Sequence, residues 1–274
     1  MLLVTLGAAH SLNHSLFVIA PPLLTVIMSD LRVSKFVMGT VGAAASFIYG
    51  AGSLIGGPLG DRVGETKVIT FFLSLSGIST FLMFFANDIG IYASASVLIA
   101  IWASLYHPTA NSLISKTFRT RTGEAMGLHG VGGTLGVVLT PTIAWFIGSY
   151  FGWRLAFIFF GAICIILAVS MAKSMAKSGN RTVSETRFRE VLKIRDLWIV
   201  LVFNVAIGLF MKGVEYFFPT YLREVKAVDP MWASMAYTLI LAFGVPAQWI
   251  GGKAADSFGY KRFLMATSLG VVLS

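Results

Sequence analysis

Lys212 and Glu215 stand three residues apart inside an apolar stretch, so they occupy neighbouring positions on one helix face. An ionised side chain at membrane depth costs about 2.5–3.5 kcal/mol on insertion scales, so such a pair is expected to face protein or water. Lys212 suits an anionic ligand and Glu215 a proton or cation; the alternative is a structural ion pair near the helix end. His10, Asn13, His14 and Phe17 recur at i, i+3, i+4 and i+7 and share a face of the first apolar stretch. Polar groups there must turn away from lipid, and imidazole can carry a proton near physiological pH. The reading is a substrate or proton pathway, with satisfied helix contacts as the alternative. A His pair at i, i+4 could also ligate a metal, but no Asp, Glu or Cys lies nearby on that stretch, and no metal or other cofactor is expected. His107, between Tyr106 and Pro108, and His129 are further pathway candidates.

The elements that position these residues are membrane spans. The chain has 56% hydrophobic and 12% charged residues and a mean hydropathy of +0.80, far from the roughly 25% charged content of soluble domains. A bilayer core needs about 20 apolar residues per helix. Charged breaks leave runs near 3–28, 36–57, 68–86, 90–112, 124–148, 154–174, 197–222 and 231–251, with a shorter one at 263–274. The first run lacks the charged n-region and cleavage site of a signal peptide and reads as a retained span. The single Cys164 is a packing residue and offers neither a disulfide nor a zinc site.

Bases fix the expected orientation. Fifteen of the 21 Lys and Arg residues fall in the loops 57–67, 112–123, 173–196 and 252–262, and five in the alternate loops. Short cytoplasmic loops are enriched in bases, which predicts a cytoplasmic N-terminus and a cytoplasmic linker at 176–196. The net charge of +9 is then a consequence of topology, and no nucleic-acid partner is implied. Pro108 and Pro141 are expected to bend their helices, and Glu124 to cap one.

One loop occurs twice, 195 residues apart. Gly57-Pro58-Leu59-Gly60-Asp61-Arg62-Val63-Gly64 and Gly252-Lys253-Ala254-Ala255-Asp256-Ser257-Phe258-Gly259 share a Gly, an Asp four residues on and a Gly three further, with Lys67 and Arg262 downstream. Glycines allow a tight turn, while Asp61 can accept hydrogen bonds from a helix N-terminus and Arg62 can pair with an acid, contacts that latch one conformation. Duplicated halves are the usual build of secondary transporters.

Both loops resemble the cytoplasmic motif of the major facilitator superfamily, between helices two and three and again between eight and nine. The first copy departs at Glu65 and Thr66, where the family has bases, and the second has Ser257 in place of Arg62. In the fifth run, Gly132, Gly136, Thr140 and Ala144 form a ridge of small residues. Gly127, Gly136 and Pro141 resemble that superfamily's helix-five antiporter motif, with Thr140 for its Gly and Ala144-Trp145 for its closing Gly pair. Ser104-Leu105-Tyr106-His107-Pro108 and Phe217-Phe218-Pro219 are most similar to the fosmidomycin-resistance-like branch.

The resemblance implies an all-α membrane protein of two six-helix halves, with about eight to nine of twelve transmembrane helices present and the chain a C-terminally truncated fragment. Residues 1–175 would be the N-terminal half, 176–196 the linker and 197–274 the start of the C-terminal half. The expected function is proton-coupled efflux of a small amphiphilic or anionic compound by a monomer in a prokaryotic plasma membrane. Uptake of an organic anion or sugar phosphate, or a sensor that binds without transport, are the alternatives. No catalytic constellation points to an enzyme.

Overall fold

The computed structural model describes the backbone of residues 1–176, 190 and 192–273; side chains are described for these except 174–176, 208–220, 223–224, 230–231, 233–238, 240–241 and 271–273. Among the described residues the secondary structure is helical, without a strand. Six helical stretches there are long and apolar enough to cross a membrane: Leu2–Leu31, Lys35–Val63, Glu65–Phe85, Ile89–Thr117, Thr122–Phe151 and Trp153–Lys173. Each coincides with one of the first six apolar runs. Helices Arg195–Glu224, Pro230–Phe258 and Tyr260–Leu273 follow.

Two spans are broken for a local reason. The first divides into α1 (Leu2–Val18) and α2 (Leu24–Leu31) around a 3-10 turn at Pro21–Leu23, because Pro21 and Pro22 have no N–H to donate to the preceding turn. The fourth divides into α5 (Ile89–Ser104) and α6 (Tyr106–Thr117). Pro108 removes the donor that would meet the Ser104 carbonyl, and the break falls there, as its position predicts. Asp88 begins α5 by accepting from Gly90 N at 2.7 Å and Ile91 N at 3.0 Å, an N-cap. Between lie α3 (Lys35–Val63) and α4 (Glu65–Phe81). The helices α7 (Thr122–Phe151) and α8 (Trp153–Ala176) run uninterrupted, α7 even through Pro141.

The repeated loop is smaller than the sequence suggests. The helix continues through Asp61 to Val63, turns on Gly64 at φ 96°, and restarts at Glu65; the second copy turns on Gly259 at φ 85°. Positive φ is tolerated by glycine, which explains why each copy ends in one.

The chain clusters into two compact units, residues 1–184 with 247–274, and 185–246. In the first unit, α1 lies parallel to α7 in register. Gly132 faces Gly7, Gly136 faces Ser11, the Thr140 hydroxyl donates to Ser15 Oγ at 2.6 Å, and Gly148 faces Leu23. These pairs share an offset of 125 residues, and an added Cβ at Gly132 or Gly136 would meet the α1 backbone. The ridge of small residues is thus the α1 contact surface, as backbone-close helix packing in a membrane requires. A second glycine face, Gly123, Gly127 and Gly130, meets Gly252, Gln248 and Trp249. At the other end of the bundle Arg154 pairs with Asp30 at 2.8 Å, and the Trp153 indole donates to the same carboxylate at 3.1 Å. Helix Arg195–Glu224 belongs to the second unit.

Candidate functional site

The protein has four histidines, and all four converge. His10 and His14 come from successive turns of α1, His107 from the first turn of α6 and His129 from the second turn of α7. His10 stacks on His129 with ring centroids 4.0 Å apart and meets His14 and His107 at 4.8 Å each. His10, Asn13 and His129 are buried, while His14 and His107 are half-buried. Gly133 makes room for this: a Cβ there would strike the His10 ring.

Carbonyl acceptors settle where several protons sit. The His129 carbonyl can only accept, so His10 Nδ1 carries the hydrogen of their 2.7 Å contact. A neutral His10 is therefore bare at Nε2, which lies 3.1 Å from His14 Nε2, so in this contact His14 Nε2 donates and His10 Nε2 accepts. Tyr106 donates to the Leu6 carbonyl at 2.6 Å, so its oxygen accepts from His129 Nε2 at 2.9 Å. Asn13 donates to the Ala103 carbonyl at 2.9 Å and accepts from the Tyr49 hydroxyl at 2.8 Å. The sequence singled out five of these residues, His10, Asn13, His14, His107 and His129. It missed Tyr49 and Tyr106, and Tyr106, next to His107, carried the one available hint.

Lys212 and Glu215 lie in helix Arg195–Glu224, and their side chains are outside the described residues.

The two acidic loops make different ties. Lys116 at the end of α6 reaches Asp61 at 3.0 Å and Glu65 at 2.6 Å, and Ser112 donates to Glu65 at 3.0 Å. Asp61 thus meets a lysine side chain where a helix N-terminus was expected. Arg62 makes no ion pair among the described residues. Glu65, the family's missing base, completes a two-carboxylate clamp on Lys116 instead.

The helix-capping role falls to the second copy. Asp256 accepts from Gly123 N at 2.8 Å and from Glu124 N at 2.7 Å, the open N–H groups in the first turn of α7, and from the Tyr260 hydroxyl at 2.5 Å. Asp256 lies beyond the apolar run of its helix. Burial opposes its ionisation, but the Tyr260 hydroxyl and the two N–H groups prevail and hold its pKa below the usual carboxylate range. Glu124 itself pairs with Arg121 at 2.7 Å. Gly252 lies directly against Gly123, a close approach that a Cβ would prevent; in the first copy the tight contact with Pro108 and the Leu105 carbonyl belongs to Gly56, one residue before the repeat, while Gly57 has room for a Cβ. Gln248 bridges to Thr134 at 2.8 Å.

Comparison with known proteins gives a consistent assignment. Residues 6–274 match the family model described as Major Facilitator Superfamily. The chain is 23% identical to the riboflavin transporter RibZ of Clostridioides difficile over 97% of this chain and 70% of that protein. It is 25% identical to the probable sulfoacetate transporter SauU of Cupriavidus necator, over 89% of this chain and 61% of that protein. With the multidrug resistance protein D of Escherichia coli the identity is 22% over 94% of this chain and 66% of that protein. The chain therefore spans roughly two thirds of the length of these relatives.

Proposed function

The chain belongs to the major facilitator superfamily and is a multi-pass membrane protein; from that premise we propose that it is a secondary active transporter exporting a small amphiphilic or anionic compound in exchange for protons. The observation that carries alternating access is the Asp256 cap on the first turn of α7. A carboxylate spent on two main-chain N–H groups stabilises the helix arrangement that makes the contact and is lost in one that does not, which is what a conformational latch requires.

Export rests on the resemblance of Gly127, Gly136 and Pro141 to the helix-five antiporter motif; the two glycine faces of α7 themselves let that helix pack closely on both α1 and residues 247–258. The anionic or amphiphilic character of the solute rests on Lys212 in an apolar helix, and proton coupling on Glu215 beside it. Among relatives, one is named for riboflavin, one for sulfoacetate and one for multidrug resistance. The membrane is the prokaryotic inner membrane, with the N-terminus and residues 176–196 on the cytoplasmic side.

Everted vesicles containing the chain test this. An imposed proton gradient with the lumen acid, directed outward, should drive accumulation of a responsive solute from a panel including riboflavin, sulfoacetate and amphiphilic dyes, and a protonophore should abolish it. Accumulation that persists with the protonophore would refute proton exchange.

A further inference from the structure

Three of the clustered histidines have the arrangement of a ligand set. One ring nitrogen from each of His10, His14 and His107 lies within 4.8 Å of the others, and His10 Nε2 and His14 Nε2 are already 3.1 Å apart. Imidazoles bound to zinc at about 2.0–2.1 Å in a tetrahedron have nitrogens roughly 3.3 Å apart. The α1 pair has nearly that separation, and the half-buried His107 offers a nitrogen within 4.8 Å of both.

A second observation concerns orientation. A metal-ligating histidine commonly donates its other ring N–H to a carbonyl or carboxylate, which fixes the tautomer and aims the free nitrogen at the ion. His10 does this through Nδ1 to the His129 carbonyl at 2.7 Å, which leaves its bare Nε2 directed at His14. His129 stacks on the opposite face and holds the His10 ring in place. The hydrogen between the two Nε2 atoms thus occupies a position that a cation bound by both lone pairs would take over.

We propose that His10, His14 and His107 bind a divalent transition-metal ion of the zinc, nickel or copper class. An all-imidazole set favours these ions over magnesium or calcium, which take oxygen ligands. On binding, the His14 hydrogen passes from Nε2 to Nδ1, which keeps the ring neutral, and both Nε2 lone pairs turn to the metal. Three protein ligands leave a fourth position open for water or for a donor atom of a solute. The proposal is independent of transport direction and of Glu215.

The test uses the whole chain purified in detergent, with any polyhistidine tag removed and bound metal stripped by a chelator. Titration with Co2+ should give one ion per chain with visible ligand-field absorption, displaced by Zn2+ and unaffected by excess Mg2+. His14→Gln and His107→Gln should each weaken Co2+ binding by roughly tenfold or more, with metal-free thermal unfolding unchanged. His10 is left in place because its ring fills the space opposite Gly133. Absence of the Co2+ absorption in the parent chain would overturn the proposal, as would unchanged affinity in both variants. The parent spectrum alone decides the matter if either variant fails to fold.

Discussion

Asp256 accepts the main-chain N–H of Gly123 at 2.8 Å, and Gly252, one turn before it, lies so close to Gly123 that a Cβ on either residue would meet the other's carbonyl. The glycine contact sets the distance and the carboxylate holds it. Asp256→Asn keeps the size but removes the charge, so transport should fall roughly tenfold or more at normal abundance, the loss expected for a charge-assisted hydrogen bond of about 1.5–3 kcal/mol. Flux assays normalised to membrane protein check this, and undiminished flux would remove the latch role.

The same carboxylate predicts a pH dependence. Because its folded pKa is lowered, the stabilisation it gives is present above the ordinary carboxylate value and is lost as pH falls through the folded value. Hydrogen exchange at Gly123 and Glu124, corrected for intrinsic rates, should show protection at neutral pH that disappears on acidification below the usual carboxylate range. In Asp256→Asn the acid-dependent step should be missing.

Glycines separate into two classes with opposite expected signs. Gly136→Ala drives a Cβ into the Ser11 carbonyl, an overpacking that should cost about 1–3 kcal/mol. Gly42→Ala meets open space and should be neutral or stabilising by up to about 1 kcal/mol. Thermal unfolding in detergent distinguishes them, and equal shifts would contradict the α1 to α7 register.

For coupling, Glu215→Gln should permit solute binding and exchange yet abolish accumulation driven by a pH gradient, while Lys212→Ala should weaken anionic solutes most. Unchanged gradient-driven accumulation in Glu215→Gln would transfer proton coupling to another group.

Much of this architecture is legible in the sequence because membrane spans are long, one-dimensional signals. The six described spans, the turn glycines Gly64 and Gly259, and the ridge Gly132, Gly136 and Thr140 all follow from local composition or period. The Pro21–Pro22 break was equally local but was masked by the apolar run around it. The histidine cluster was half legible: His10 and His14 share a face by spacing, but their meeting with His107 and His129 depends on how α1, α6 and α7 pack. Lys116 was missed for the same reason. Its partners Asp61 and Glu65 are on α3 and α4, and which base reaches an acid is decided by three-dimensional proximity, which the sequence around Arg62 does not carry.

Solute counterflow in proteoliposomes tests the central claim most directly. With a responsive solute preloaded inside and no ion gradient, the account predicts transient accumulation of labelled solute against its gradient, faster in the parent chain than in Asp256→Asn. Binding of that solute with no counterflow would mean that the protein senses rather than carries it, and would contradict the account.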